Sequence, residues 1–327
     1  MALFAIVIAL LLEQVRPLAA GNLATVGLRH WVRAVGQNVD AGGVSHGWLA
    51  WTLAVVAPAL AAAAVGRLLD WLVGWPLALA WTVWMLYLTL GFRQFSHHFT
   101  GIRDALEAGD DARARQLLAR WQQVDVSALP RSDVARRVIE HSVLAAHSHV
   151  FGVLLWFCLS AMLGLGPAGA VLFRNAEFAR RYWPHKARTG QQPVSPALVS
   201  AAQQAWQAVN WLPARATALG MAMVGSFEEA IEVWRNHAHR FADGNDGVVL
   251  AATAGALGVR LGDNALKAPS AVEGDGPLGT TLAAAAQPLP GDAPSPAHFS
   301  QVIGLLWRMV ALWLLLLVLL TLARVVG

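Results

Sequence analysis

The sequence predicts an all-α, polytopic helical membrane protein built from helical hairpins, with one small soluble helical segment. Three observations carry this. Of the 327 residues, 56% are hydrophobic and only 13% are charged, against roughly 25% charged in globular domains. Long apolar runs recur along the chain, several of them near the length of about 20 residues that a bilayer requires. Many of the 15 tryptophans fall near the ends of those runs (Trp48, Trp51, Trp71, Trp75, Trp307, Trp313), as an interfacial belt would. The basic residues lie between apolar segments, which fits the positive-inside bias of membrane loops and not nucleic-acid binding.

Taken in order, residues 1–92 form an N-terminal membrane region. Met1–Leu12 is too short to span and lacks the basic start of a cleavable signal. Arg29, His30 and Arg33 are spaced as one face of a short helix. Trp48–Val65 and Trp71–Phe92 are two spanning segments, and the tight Arg67–Asp70 link between them makes an antiparallel hairpin.

Residues 93–142 are the soluble helical segment. Ala105–Gln122 reads as helix, Gly-Asp turn, helix, with Ala114, Leu117, Leu118 and Trp121 on one apolar face. Pro130 punctuates, and Ser132 or Asp133 caps the helix that follows. Residues 143–182 hold an apolar hairpin broken at GLGPAG, Gly164–Gly169. The basic stretch after it, Arg174–Gln204, and the Arg93–Glu140 stretch both fall on the cytoplasmic side of a bacterial inner membrane.

Residues 183–266 carry a loop, a helix begun at Pro213 and a small-residue helix. Asn210 caps that middle helix, Phe227–Arg235 is amphipathic, Asp243–Gly247 is a loop, and Val248–Gly262 packs closely through its small residues. Residues 267–300, rich in Pro, Gly and Ala, form a linker. Residues 301–327 contain the last span, Val302–Ala323. Whether Pro213–Phe227 spans or re-enters, and hence the side of the C-terminus, stays open.

The chemistry concentrates on Arg215, an arginine inside an apolar helix. Such a charge needs a partner, a wet cavity or a route to the headgroups. With Asn210 and the free N–H groups of a helix start beside it, Arg215 suits a phosphate or carboxylate; an interfacial anchor is the alternative. Glu140, Glu177 and Glu13 are acids beside apolar segments that could pair with it. Glu140 and Glu177 flank the same hairpin and could meet. No phosphate loop, dinucleotide fingerprint or zincin motif occurs, no histidine pair has ligand spacing, and the single Cys158 lies in an apolar run, so no metal site is expected.

Three stretches resemble a known family: VNWLPAR (Val209–Arg215), GPAGAVLFR (Gly166–Arg174) and AGALGVRLG (Ala254–Gly262). They are similar, in the same order, to the CobD/CbiB superfamily, which holds the adenosylcobinamide-phosphate synthases of cobalamin biosynthesis and the AmpE-type inner-membrane proteins. The synthases carry an IESLAEN..DG stretch before the hairpin. Here it reads IEHSVLAAHSH: Glu140 matches, but Leu144, Ala145 and Ser148 replace the expected Glu, Asn and Asp. Where the synthases continue NTLD, this chain keeps Asn175 and has Phe178 in place of the acid.

The resemblance therefore implies the AmpE-like branch, with an accessory or sensory signalling role and a retained anion pocket. The alternative is a synthase that joins aminopropanol or its phosphate to adenosylcobyric acid, for which alone ATP and Mg²⁺ are implied. A structural scaffold of an envelope complex comes third. The expected partners are membrane lipid and a phosphate- or carboxylate-bearing ligand, with no nucleic acid.

Overall fold

The computed structural model describes residues 2–16, 22–122, 126, 129–190, 192–241, 243–262 and 290–326. Those residues are helical throughout, apart from turns and one isolated bridge between Val259 and Asp292. Three helices are long and apolar enough to cross a membrane, Val44–Leu72, Arg131–Met162 and His298–Ala323. This is the all-α, polytopic membrane architecture expected. The chain divides into two compact units: Met1–Phe95 with Ala146–Pro213 and Leu320–Gly327, and Ser96–Ala145 with Ala214–Leu319.

The first unit begins with α1 (Ala2–Val15), whose 14 residues reach only about 21 Å. Helix α2 (Leu23–Val39) starts at Asn22, whose side chain accepts the Thr25 N–H at 2.8 Å. Helix α3 (Val44–Leu72) runs straight through the expected Arg67–Asp70 link. Arg67 and Asp70 are exposed, so they interrupt the apolar pattern without bending the backbone. The turn falls at Gly74 instead, where φ is 101° and only glycine is unstrained. Helix α4 (Trp75–Thr89) then returns along α3, with the Trp81 indole N–H donating to the Ala62 carbonyl at 2.9 Å.

The expected hairpin at GLGPAG is present. Helix α8 (Gly152–Met162) and helix α9 (Ala168–Thr189) flank a turn with positive φ at Gly164 and Gly166. Alanines 59, 62 and 63 of α3 pack on Ala168 and Val171 of α9. The region after the hairpin, expected as a loop, is helical to Thr189. It stops at Gly190, whose φ of 64° gives the left-handed cap.

The helix expected to begin at Pro213 begins at Pro196: α10 (Pro196–Val224) contains Pro213 in its interior. An internal proline strands the carbonyl four residues earlier. Here that carbonyl, Val209 O, accepts the Trp156 indole N–H at 3.0 Å, so the helix continues.

In the second unit, α5 (Phe92–Glu107) and α6 (Asp111–Gln122) meet at Gly109, φ 76°, as the Gly-Asp pair implies. Helix α7 (Arg131–Ala146) starts directly after Pro130, one or two residues ahead of the expected caps, so Ser132 and Asp133 lie in its first turn. Helix α11 (Phe227–His237) is the expected amphipathic helix. The expected Asp243–Gly247 loop is the start of α12 (Gly244–Leu257): Asp243 accepts the N–H groups of Asn245 and Asp246 at 3.2 and 3.3 Å. A Cβ at Gly255 would lie 2.3 Å from the Glu229 carbonyl oxygen, so the small-residue pattern does buy close packing of α12 on α11. Helix α12 stops at Gly258 (φ 64°), four residues short of expectation. Of the 267–300 linker, residues up to 289 lie outside the described residues; beyond them Asp292 and Gly258–Arg260 exchange backbone hydrogen bonds. Helix α13 (His298–Val326) contains the last expected span.

The positive-inside reading gives a direct expectation for membrane sidedness. On a Cys158→Ala background, cysteines at Ala108 and Arg188 should resist a membrane-impermeant maleimide in intact cells and react after lysis. Labelling of either in intact cells would reverse the assignment.

Candidate functional site

Polar clusters lie among the apolar helices in both units. In the first unit, a π-helical turn, His147–Phe151, joins α7 to α8. Such a turn widens the backbone by one residue and is common at functional positions. It brings the buried His147 ring to Asn210, with Nε2 2.8 Å from Oδ1. Asn210 is thus no helix cap: it sits mid-helix, fully buried, with its side chain on the histidine. The Asn210 Nδ2 and the Trp206 indole N–H, one turn apart on α10, are buried donors with no hydrogen-bond acceptor among the described residues. The Phe173 ring lies 5.2 Å from Trp206, and the Arg180 guanidinium sits over that indole at 5.2 Å.

On α9 of the same unit, Glu177 is buried between two arginines of its own helix. Arg174 donates to Oε2 at 2.7 Å, and Arg181 pairs with Oε1. Asn175 is buried beside them. Phe178, where the synthases carry an acid, stacks on Tyr182 with ring centroids 5.5 Å apart. Glu13 is buried on α1.

The second unit holds Arg215 and Glu140. Arg215 is half-buried and donates from NH1 to Asn245 Oδ1 at 3.1 Å, at the first turn of α12. The expected partnership of Arg215 with the start of its own helix is therefore corrected: α10 begins nearly twenty residues earlier, and the helix start beside the guanidinium belongs to α12. That start is already capped by Asp243. Glu140 is held by Arg136 at 3.8 Å and accepts the Gly262 N–H at 2.6 Å, tying α7 to the turn that follows α12. Glu140 and Glu177 thus each have an arginine on their own helix.

Sequence reasoning singled out Asn210, Arg215, Glu140, Glu177 and Glu13, but missed His147 as the partner of Asn210 and Asn245 as the partner of Arg215. The first had a signal, since both are strongly polar residues inside apolar runs. The second had none, because the two residues lie thirty positions apart.

The described residues do not form a dedicated Mg²⁺ cage. Among them no three His, Cys, Asp or Glu side chains converge on a point, and the two best-placed carboxylates are held by arginines. The basic groups suit an oxyanion better than a cation.

Comparison with known proteins identifies the lineage. A family model described as CobD/Cbib protein matches residues 3–287. The chain belongs to this family. It is 31% identical over 308 residues to the "Cobalamin biosynthesis protein CobD" of Stutzerimonas stutzeri (strain A1501), covering 93% of this chain and 91% of the relative. It is 35% identical over 181 residues to the protein of the same name from Chromobacterium violaceum (strain ATCC 12472), covering 55% of each. No solved structure matches. These relatives carry the name of a cobalamin biosynthesis protein, so they favour the synthase alternative over the AmpE-like branch expected from the sequence.

Proposed function

We propose that this chain works at an inner-membrane stage of cobalamin biosynthesis, in the synthase-type step that joins aminopropanol or its phosphate to adenosylcobyric acid. One observation carries the reading: the likeness to a relative named for cobalamin biosynthesis runs through nine-tenths of both chains. Forming an amide from a carboxylate and an amine needs an activated carboxylate. ATP and the Mg²⁺ that accompanies its phosphates are therefore part of this reading. In it, Arg215, held by Asn245, binds a phosphate or carboxylate of the substrates, with its fork geometry setting orientation.

A second reading, an accessory or sensory protein of the AmpE-like kind, is favoured by one specific feature. Leu144, Ala145, Ser148 and Phe178 stand where the synthases have acids and an amide, and the remaining Glu140 and Glu177 are engaged by arginines. Both readings share the anion pocket, and they part at turnover. The purified protein in lipid nanodiscs, given adenosylcobyric acid, aminopropanol phosphate, ATP and Mg²⁺, is expected to yield the amide by mass spectrometry. Binding of either substrate without product would overturn the synthase reading in favour of the second.

A further inference from the structure

We propose that the α8–α9 turn, Met162–Gly166, ends inside the lipid acyl-chain layer, so that the Arg131–Met162 helix, although long enough to cross the membrane, stops short of its far face and the chain turns back. The partner of this surface is lipid. The inference rests on the membrane architecture alone and is independent of the cobalamin reading.

The first observation is compositional. From Ser142 to Phe173 the chain holds no Asp, Glu, Lys or Arg, including the turn itself. A turn that meets water is usually built from Asn, Asp, Ser, Gly and Pro. This one reads Met-Leu-Gly-Leu-Gly-Pro, and it exposes Met162 (52%), Leu163 (75%) and Leu165 (42%).

The second observation is that the turn satisfies much of its own backbone. Irregular backbone is costly in hydrocarbon unless its polar groups pair internally. The Leu163, Gly164 and Leu165 N–H groups donate to the Leu159, Ala161 and Ser160 carbonyls at 3.3, 3.1 and 2.8 Å. Pro167 has no N–H to satisfy, and Ala168 N–H returns to Leu165 O at 3.3 Å. The Ser160 hydroxyl is shared between the Gly166 carbonyl at 2.8 Å and the Phe157 carbonyl at 3.0 Å. A hydroxyl placed to do what water would do for that carbonyl suits a turn that water does not reach.

The third observation sets the depth. A Cβ at Gly164 would lie 2.8 Å from an Arg67 guanidinium nitrogen, so the turn sits beside Arg67 of α3. Arg67 lies seven residues before Gly74, the end of the α3–α4 hairpin, or about 10 Å along the helix. That outer end carries the exposed Trp71 (81%) and Trp75 (57%), residues that favour the headgroup level. With the tryptophans at the interface, the α8–α9 turn lies about one to two helical turns deeper.

The test uses the full chain in phospholipid vesicles on a Cys158→Ala background. Nitroxide labels are placed at Leu163→Cys, Val73→Cys and Ala108→Cys, and their accessibility to oxygen and to a water-soluble nickel chelate is compared. The label at 163 should be the richest in oxygen collisions and show several-fold lower nickel accessibility than the label at 108, with 73 between them. Nickel accessibility at 163 equal to that at 108 would place the turn in water and overturn the proposal. So would a label at 163 shielded from both reagents, which would mean that protein, such as a second copy of this chain, covers the turn. Leu165→Cys gives the same reading should Leu163→Cys fail to insert.

Discussion

Replacing Arg215 with lysine should lower affinity for a phosphate- or carboxylate-bearing ligand at least tenfold while the protein stays inserted and folded. Lysine keeps the charge but loses the planar fork, and a bidentate site tolerates that exchange poorly. Arg215→Leu should abolish binding and also cost stability. The guanidinium donates to the buried Asn245 Oδ1 at 3.1 Å, and a hydrogen bond to a charged group contributes about 1.5–3 kcal/mol. Isothermal calorimetry with pyrophosphate or aminopropanol phosphate, beside detergent-solubilised melting temperatures, separates the two effects. Wild-type binding in both variants would make the arginine a lipid anchor and remove the anion pocket.

Gly169→Ala should be the most damaging small substitution in the hairpin. Its Cβ would fall 2.0 Å from the Trp156 carbonyl oxygen, a backbone atom that cannot rotate away, so α8 and α9 must separate. Overpacking of this kind commonly costs about 1–3 kcal/mol, and a backbone clash belongs at or above the upper end. Gly152→Ala meets the Phe173 ring at 2.2 Å. It should cost less, because a side chain can shift, but it moves the ring that lies 6.4 Å from His147. Thermal unfolding of the two variants should therefore rank Gly169→Ala clearly below Gly152→Ala. Equal melting temperatures would show that the hairpin is looser than its packing indicates.

The sequence made the hairpins legible because their turns depend on local chemistry. Gly164, Gly166 and Gly109 supply positive φ at places where the apolar pattern breaks, so both turns could be placed to within a few residues. Proline misled at position 213, because its meaning depends on what receives the orphaned carbonyl. Pro213 lies inside a helix. At Pro213 the donor comes from Trp156, more than fifty residues away, and no local pattern announces it. The same limit explains the site. Glu177 is flanked by Arg174 and Arg181 at helical spacing, a pairing open to inspection in the sequence. The His147–Asn210 and Arg215–Asn245 contacts join separate helices and depend on the π turn and on the placement of α12.

The family assignment tilts the function toward cobalamin synthesis, while the residues at 144, 145, 148 and 178 pull against catalysis. Complementation tests that tension most directly. A strain lacking its adenosylcobinamide-phosphate synthase is supplied with this chain and grown where cobalamin is required and cobyric acid is the only corrinoid source. The account predicts growth with the wild-type chain and loss of growth with Arg215→Leu at equal membrane levels. No growth with a wild-type chain that is shown to be inserted and folded would contradict the synthase reading.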